Sequence, residues 1–338
     1  MGKIVITGGA GFAGSHIVDR FRLEYPDDEI VVLDRMTYAG DVRNLKSHII
    51  ADTVQLAVGD VADLDCCLRV VEGARLVVHA AAESHVDNSF GNSREFTRTN
   101  VLGTHCLVEA CRVHNVPRFI HISTDEVYGD VIEGSASEDA VLSPTNPYSA
   151  SKAAAEMIIQ GYIRSFKAPI VIVRANNLFG TRQYPEKIVP RFVCQMLLDR
   201  KMTLHGTGMS KRHYLSALDF ADAIVLVAER GRVGEIYNIG TTEEYTNIEV
   251  AEMIASAFGR NLVDMIEFVP DRPFNDSRYC VSWDKMRNLG WMPQLRLADH
   301  LPDVIEWFHN NLDHYASHFK FQASPRRIPA DRHPVHAA

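Results

Sequence analysis

The sequence predicts an α/β fold: a doubly wound parallel sheet of the Rossmann type with a smaller C-terminal α/β lobe. Three observations carry that reading. Short β-branched runs alternate with longer amphipathic stretches through the first half of the chain, the first run opens into a glycine-rich turn, and the second ends on an aspartate. Strand–helix alternation implies parallel strands joined by helical crossovers. Right-handed crossovers then place a ligand at the carboxyl ends of the strands.

Residues 3–7, 29–34, 54–58, 76–80, 118–123 and 170–175 are apolar enough to be strands buried on both faces. Helical periodicity fills 14–24, 65–72, 94–114 and 148–166. Past about residue 176 the pattern loosens: 176–190 reads as loop, and 191–199, 219–230, 247–258 and 297–310 as helices, with strands at 235–239 and 265–269. The expected organisation is a first domain over 1–175, a second lobe over 176–317 interleaved with it, and a mobile tail over 318–338 rich in Pro, Arg and His.

Composition narrows the function. The 338 residues are 46% hydrophobic and 23% charged, the balance of a globular protein with a sizeable core. A net charge of −8 gives no general help to a nucleic-acid or anionic-membrane partner, so a phosphorylated ligand must be held by local devices. Six cysteines without a C-x-x-C read as free thiols of a reducing compartment. No signal sequence and no run near the roughly 18 apolar residues of a membrane span is visible, so a cytoplasmic protein without a membrane partner is expected. Fifteen histidines form no H-x-H or H-E-x-x-H, so no metal is expected.

The 3–7 strand leads into Gly8-Gly9-Ala10-Gly11-Phe12-Ala13-Gly14 and a helix. Gly8 permits the tight turn, Gly11 lets backbone approach a pyrophosphate, and Gly14 lets the helix pack on the sheet. Asp34 stands 20 residues after Gly14, placed to accept hydrogen bonds from an adenine ribose and to repel a 2′-phosphate. NAD is therefore favoured over NADP, with Arg35 beside it the contrary sign. Asp60 and Val61, after the third strand, are placed to bracket the adenine.

Tyr148 and Lys152 form Y-x-x-x-K at the start of a helix, on one face. A tyrosine of pKa about 10 is a poor base at neutral pH. A neighbouring ammonium, aided by a positive nicotinamide ring, is expected to stabilise the phenolate and lower that pKa.

The glycine loop, Asn100, Ser123, Thr124, Tyr148 and Lys152 together resemble the extended short-chain dehydrogenase/reductase family, which acts largely on nucleotide sugars. The resemblance covers about residues 1–312. Its most specific part, Ser123-Thr124-Asp125-Glu126-Val127-Tyr128-Gly129, is similar to the nucleotide-sugar 4,6-dehydratases, as are Ala81-Ala82-Glu83-Ser84-His85-Val86-Asp87 and Tyr184-Pro185-Glu186-Lys187. The resemblance implies bound NAD, with Phe12, Ala13, Ala80, Ala82, Asn100 and Ser123 beside it, and a nucleoside-diphosphate glucose substrate. That sugar is oxidised at C4, loses water across C5 and C6, and regains the hydride at C6. Glu126 is the implied base at C5, Asp125 the acid at C6, and Thr124 the partner of the C4 oxygen. The two carboxyls have opposite tasks, so their environments should push their pKa values apart. Ser84, Asn177, Glu186 and Lys187 fall toward the sugar and diphosphate, Asn247 and Tyr279 toward the nucleotide, and Arg212 and Arg272 toward phosphate or ribose.

Leu178-Phe179-Gly180 departs from the family's aromatic Asn-Tyr-Gly, removing one hydroxyl. Arg174-Ala175-Asn176-Asn177 and the 272–276 segment resemble UDP-glucose and dTDP-glucose enzymes alike, which leaves the base open. The apolar faces of the 94–114 and 148–166 helices, which form a four-helix bundle in related enzymes, imply a C2 homodimer. Two rivals remain: an epimerase or decarboxylase, which needs no acid–base pair at C5 and C6, and a non-catalytic NAD-binding regulatory protein, which needs none of Tyr148, Lys152, Asp125 and Glu126.

Overall fold

The computed structural model describes residues 2–271 and 276–320; Arg272 and the 321–338 part of the expected tail lie outside the described residues. The first half supplies β1 (Lys3–Thr7), α1 (Phe12–Glu24), β2 (Glu29–Asp34), α2 (Lys46–Ile50), β3 (Gln55–Val58), α3 (Leu64–Val71), β4 (Ala74–His79), α4 (Val86–Gly91), α5 (Ser93–Phe96), α6 (Gly103–Val113), β5 (Phe119–Thr124), α7 (Pro147–Phe166) and β6 (Ile170–Ala175). The second half adds β7 (Asn177–Phe179), α8 (Ile188–Leu197), β8 (Met202–His205), β9 (Lys211–Ser216), α9 (Ala217–Arg230), β10 (Ile236–Ile239), β11 (Glu244–Thr246), α10 (Asn247–Ala257), α11 (Leu262–Met265), β12 (Ile266–Val269), α12 (Asp284–Asn288), α13 (Leu297–Asn310) and α14 (Leu312–Lys320).

Seven strands pair in parallel in the order β3-β2-β1-β4-β5-β6-β10. Alternate residues feed opposite faces. Ile4, Ile6, Val32, Val78, Ile120 and Val173 pack with α1 and α9 on one side, while Val5, Leu33, Val77, Phe119 and Ile172 pack with Cys67, Leu107 and Ile159 on the other. Growth of the sheet reverses between β1 and β4, which opens a crevice at their carboxyl ends. A separate apolar cluster of Phe192, Val193, Tyr214, Ile254, Val304 and Phe308 supports the second lobe. Two small sheets, β11-β9-β7 and β12-β8, belong to that half of the chain.

The structure departs from the sequence reading at several elements. The 54–58 strand is not buried on both faces: β3 is the sheet edge, and Val58 is 69% exposed. The 94–114 helix is interrupted by a π-helical turn, Thr97–Leu102, between α5 and α6. The 176–190 loop contains β7 and runs into α8, which starts at Ile188. The 235–239 strand sits beside β6 in the main sheet as β10, so the chain returns from the second lobe to the first. Helix α14 continues through Lys320, beyond the expected boundary at 317. Among the described residues no helix is long and apolar enough to cross a membrane. The six cysteines are free; Cys106 and Cys280 are only partly buried.

Candidate active site

A cavity opens at the switch point. Its wall carries Gly8, Gly11, Phe12, Ala13, Gly14, Asp34, Asp60, Val61, Ala80 and Ala82 at one end. Ser84, Ser123, Thr124, Asp125, Glu126, Tyr148, Lys152, Asn177, Glu186 and Lys187 line the rest. A second cleft shares Glu126, Asn177, Glu186 and Lys187 with it and extends to Arg212, Asn247 and Tyr279. The fold thus brings every described candidate except Asn100 to one continuous surface. Asn100 is buried away from it: its Oδ1 accepts from Glu83 N at 2.9 Å, and its Nδ2 donates to Glu83 O at 2.9 Å and Ser151 Oγ at 2.8 Å. These bonds shape the 80–84 wall.

The glycine loop is a cradle that side chains would fill. A Cβ on Gly14 would lie 2.1 Å from Gly8 O, and Gly8 itself takes φ +69° with Ala81 backbone 2.7 Å from its missing Cβ. Gly11 caps α1 with no side-chain hydrogen bond, so the first-turn N–H groups remain for an anion. Asp34 closes the loop from β2, its carboxylate accepting from Ala10 N at 3.0 Å and Met36 N at 2.9 Å. Arg35 is drawn to Glu95 at 2.5 Å and Asp60 at 3.5 Å. Asp60 is also bonded to Ala62 N at 2.9 Å and Arg98 at 2.7 Å. The residues present therefore fit a dinucleotide whose ribose carries no 2′-phosphate.

Thr124 ends β5 and caps the 3-10 turn Asp125–Tyr128, its hydroxyl accepting from Glu126 N at 3.3 Å. Asn146 caps α7 in a capping box, and Pro147 opens the helix. That start aims Tyr148 and Lys152 at the cavity. The Asn146 amide also donates to Glu126 Oε2 at 3.4 Å, tying the helix start to the acidic turn. Asp125 accepts from Asn176 Nδ2 at 2.8 Å and Thr124 Oγ1 at 3.2 Å. The sequence reading gives no role to Asn146 or to Asn176, which it names only within a segment of resemblance. The signals were an Asn-Pro helix start and an amide just past a parallel strand's carboxyl end.

Burial lifts the Asp125 carboxyl to about 7, with Asn176 opposing and the neighbouring Glu126 adding to the rise. Glu126 is raised as well, by burial, while the cations Lys187 and Arg212 pull it back. The expected divergence is therefore not one of direction; both carboxyls rise, against different cationic surroundings. Glu186 is lifted to about 7 by burial, against Lys187.

The protein's own groups oppose the Tyr148 phenolate. Burial and the Glu126 carboxylate hold the Tyr148 pKa above its ordinary value, against a hydrogen bond with Thr124. Lys152 Nζ donates to Ile122 O at 2.5 Å, and burial brings the ammonium down to about 8.

In the second cleft the Arg212 guanidinium stacks 4.5 Å from the centroid of Tyr279, whose hydroxyl donates to Asp276. Lys187 Nζ bridges to Ser84 O at 2.8 Å, joining the two walls. Asn177 Oδ1 is buried there with no hydrogen-bond partner among the described residues. Among the described residues no group of three or more His, Cys, Asp or Glu side chains is placed to hold a metal ion.

Residues 5–304 match the family model described as GDP-mannose 4,6 dehydratase. A trifunctional UDP-glucose 4,6-dehydratase/UDP-4-keto-6-deoxy-D-glucose 3,5-epimerase/UDP-4-keto-L-rhamnose-reductase of Arabidopsis thaliana is 43% identical over 91% of this chain; the chain spans 47% of that protein, about half its length. A dTDP-glucose 4,6-dehydratase of Streptomyces niveus is 40% identical over 91% of this chain and 93% of its own. The crystal structure of DesIV, a dTDP-glucose 4,6-dehydratase from Streptomyces venezuelae with NAD bound, superposes with a TM-score of 0.89 at 38% identity, covering 92% of this chain and 98% of that one. The chain belongs to the GDP-mannose 4,6-dehydratase family, among the extended short-chain dehydrogenase/reductases.

Proposed function

We propose that this chain is an NAD-dependent nucleotide-sugar 4,6-dehydratase that converts glucose carried on dTDP or UDP to the 4-keto-6-deoxy sugar. The observation that carries the reading is the buried Asp125–Glu126 pair opening into the same cavity as Tyr148 and Lys152. An epimerase has no use for two carboxyls beside the redox pair, and a regulatory NAD-binding protein has no use for any of the four.

Gly8, Gly11, Gly14 and Asp34 would hold NAD, which when bound supplies a positive ring that accepts a hydride from C4 and gives it back at C6. Tyr148, whose phenolate the positive ring and the Lys152 ammonium would favour against the burial that raises its pKa, takes the C4 hydroxyl proton, and Thr124 orients that oxygen. The buried Lys152 ammonium holds the helix face to β5 through Ile122 O and adds positive charge to the cavity. A ketone at C4 acidifies the C5 proton, which Glu126 removes. Asp125, near its midpoint at neutral pH, is protonated often enough to give its proton to the departing C6 hydroxyl. Lys187, Asn177, Arg212, Tyr279 and Asn247 line the second cleft, where the first three would meet the diphosphate and the last two the nucleotide.

The assembly proposed is a homodimer. Leu102, Val113, Met157 and Phe166 lie exposed on the helical segments 97–113 and 147–166, and a second copy would cover them.

Incubation with dTDP-glucose and, separately, UDP-glucose tests the function through the alkali-induced absorbance of a 4-keto-6-deoxy sugar. Formation from either supports the reading and identifies the base. Conversion of both only to isomeric nucleotide sugars contradicts it.

A further inference from the structure

Glu156 stands one turn beyond Lys152 and two beyond Tyr148 on α7, and it is completely buried. Both its oxygens engage Arg174 of β6: Nε donates to each at 3.1 Å and Nη2 to Oε2 at 2.6 Å. Ser123, which pairs with Arg174 across β5 and β6, donates its hydroxyl to Glu156 Oε1 at 2.5 Å. The other edge of the guanidinium reaches the acidic turn. Arg174 Nη1 donates to Tyr128 Oη at 2.6 Å and to Glu138 O at 3.2 Å, and the guanidinium lies 4.7 Å from the Tyr128 ring centroid. Tyr128 in turn donates to Asn238 Oδ1 on β10 at 2.7 Å.

Glu156, Arg174, Tyr128 and Asn238 line neither the cavity nor the cleft. Their side-chain polar atoms are all hydrogen-bonded. Stability alone is a poor reason for such a pair. Desolvating two ions costs several kcal/mol each, and apolar replacements of buried pairs are often neutral or better. Geometry is the better reason: a two-pronged guanidinium–carboxylate contact fixes direction as well as distance. One end of this link is the helix of Tyr148 and Lys152, and the other is the turn of Asp125 and Glu126.

We propose that Glu156, Arg174 and Tyr128 are positioning residues that set the spacing between the α7 face and the acidic turn. The inference rests on the dehydratase reading. C4, C5 and C6 are consecutive carbons of one sugar, so the group acting at C4 and the pair acting at C5 and C6 must hold one fixed separation. Misplacement by about 1 Å costs on the order of 10²-fold in rate.

The test replaces the ion pair by apolar side chains, E156M/R174M, and compares thermal unfolding, kcat and KM with the wild type. The expected result is cooperative unfolding within a few degrees of wild type, KM within about twofold, and kcat lower by about 10- to 100-fold. Unchanged kcat in a folded variant, or a loss confined to KM, overturns the proposal. If the double variant does not fold, Tyr128→Phe decides, since it removes only the hydroxyl that joins the turn to Arg174. A several-fold fall in kcat at unchanged KM supports positioning, and an unchanged kcat overturns it. A wild type that forms no 4-keto-6-deoxy sugar counts against the functional reading. A dehydrating wild type beside an undiminished variant counts against positioning alone.

Discussion

Replacing Asn176 with leucine moves the alkaline limit of turnover upward. The Asn176 amide donates to Asp125 Oδ2 at 2.8 Å and so favours the ionised carboxylate. Burial carries Asp125 to about 7 in spite of that bond. A general acid works only while protonated, so turnover limited by Asp125 falls as pH rises through about 7. A hydrogen bond to a charged group is worth about 1.5–3 kcal/mol, and one pH unit corresponds to about 1.4 kcal/mol. Removing the donor therefore shifts the limb up by about one to two pH units. Leucine keeps the approximate shape but leaves Thr241 N, which donates to Asn176 Oδ1 at 3.1 Å, without its acceptor. That costs about 1–3 kcal/mol of stability, so the profile is taken well below the unfolding temperature. The assay is kcat against pH from about 5 to 9 for both proteins. An alkaline limb that stays in place, or moves down, refutes Asp125 as the titrating acid.

Gly14→Ala forces a methyl group to 2.1 Å from Gly8 O, so dinucleotide binding followed by fluorescence titration should be lost while circular dichroism shows a folded protein; retained affinity would mean that the loop has room to spare. Asp125→Asn should stabilise the protein more at pH 8 than at pH 4. The folded carboxyl is held at about 7 against an ordinary 3.8. Below 3.8 both states are protonated and no cost arises; the cost grows as pH rises and is full above 7, reaching about 4 kcal/mol at most. Equal melting-temperature shifts at the two pH values would contradict this. Met157, 56% exposed on α7, lies on the proposed dimer face, so Met157→Glu should lower the sedimenting mass to that of one chain; an unchanged mass places the interface elsewhere.

The parts legible in the sequence are those whose geometry is local. The glycine loop, the Tyr148–Lys152 spacing and the Asp125–Glu126 step each lie within one turn or one strand end, so strand and helix periodicity suffices to place them. Short strands escape the same reading: β7 and β11 have three residues each, and β9 begins Lys211-Arg212-His213, which carries no alternation of apolar residues. Partners from distant segments are equally hidden. Asn176 on Asp125, Asn146 on Glu126 and Arg174 on Tyr128 are contacts made by folding, not by spacing. The surroundings of Tyr148 are hidden for the same reason. Sequence places Lys152 one turn away, but only the fold shows its ammonium committed to Ile122 O and the phenol buried beside Glu126.

The central claim is that water leaves across C5 and C6 under the hand of Glu126 and Asp125. Mass spectrometry and proton NMR of the product formed in deuterium oxide, by wild type and by Glu126→Gln, test it most directly. The wild type should yield a nucleotide sugar lighter by one water with a single solvent deuterium at C5, because the C5 proton lost to Glu126 is replaced from solvent. Glu126→Gln should lower that turnover by about 10²- to 10⁴-fold, the usual contribution of a general base. A wild-type product isomeric with the substrate, or a Glu126→Gln variant that dehydrates at the wild-type rate, contradicts the account.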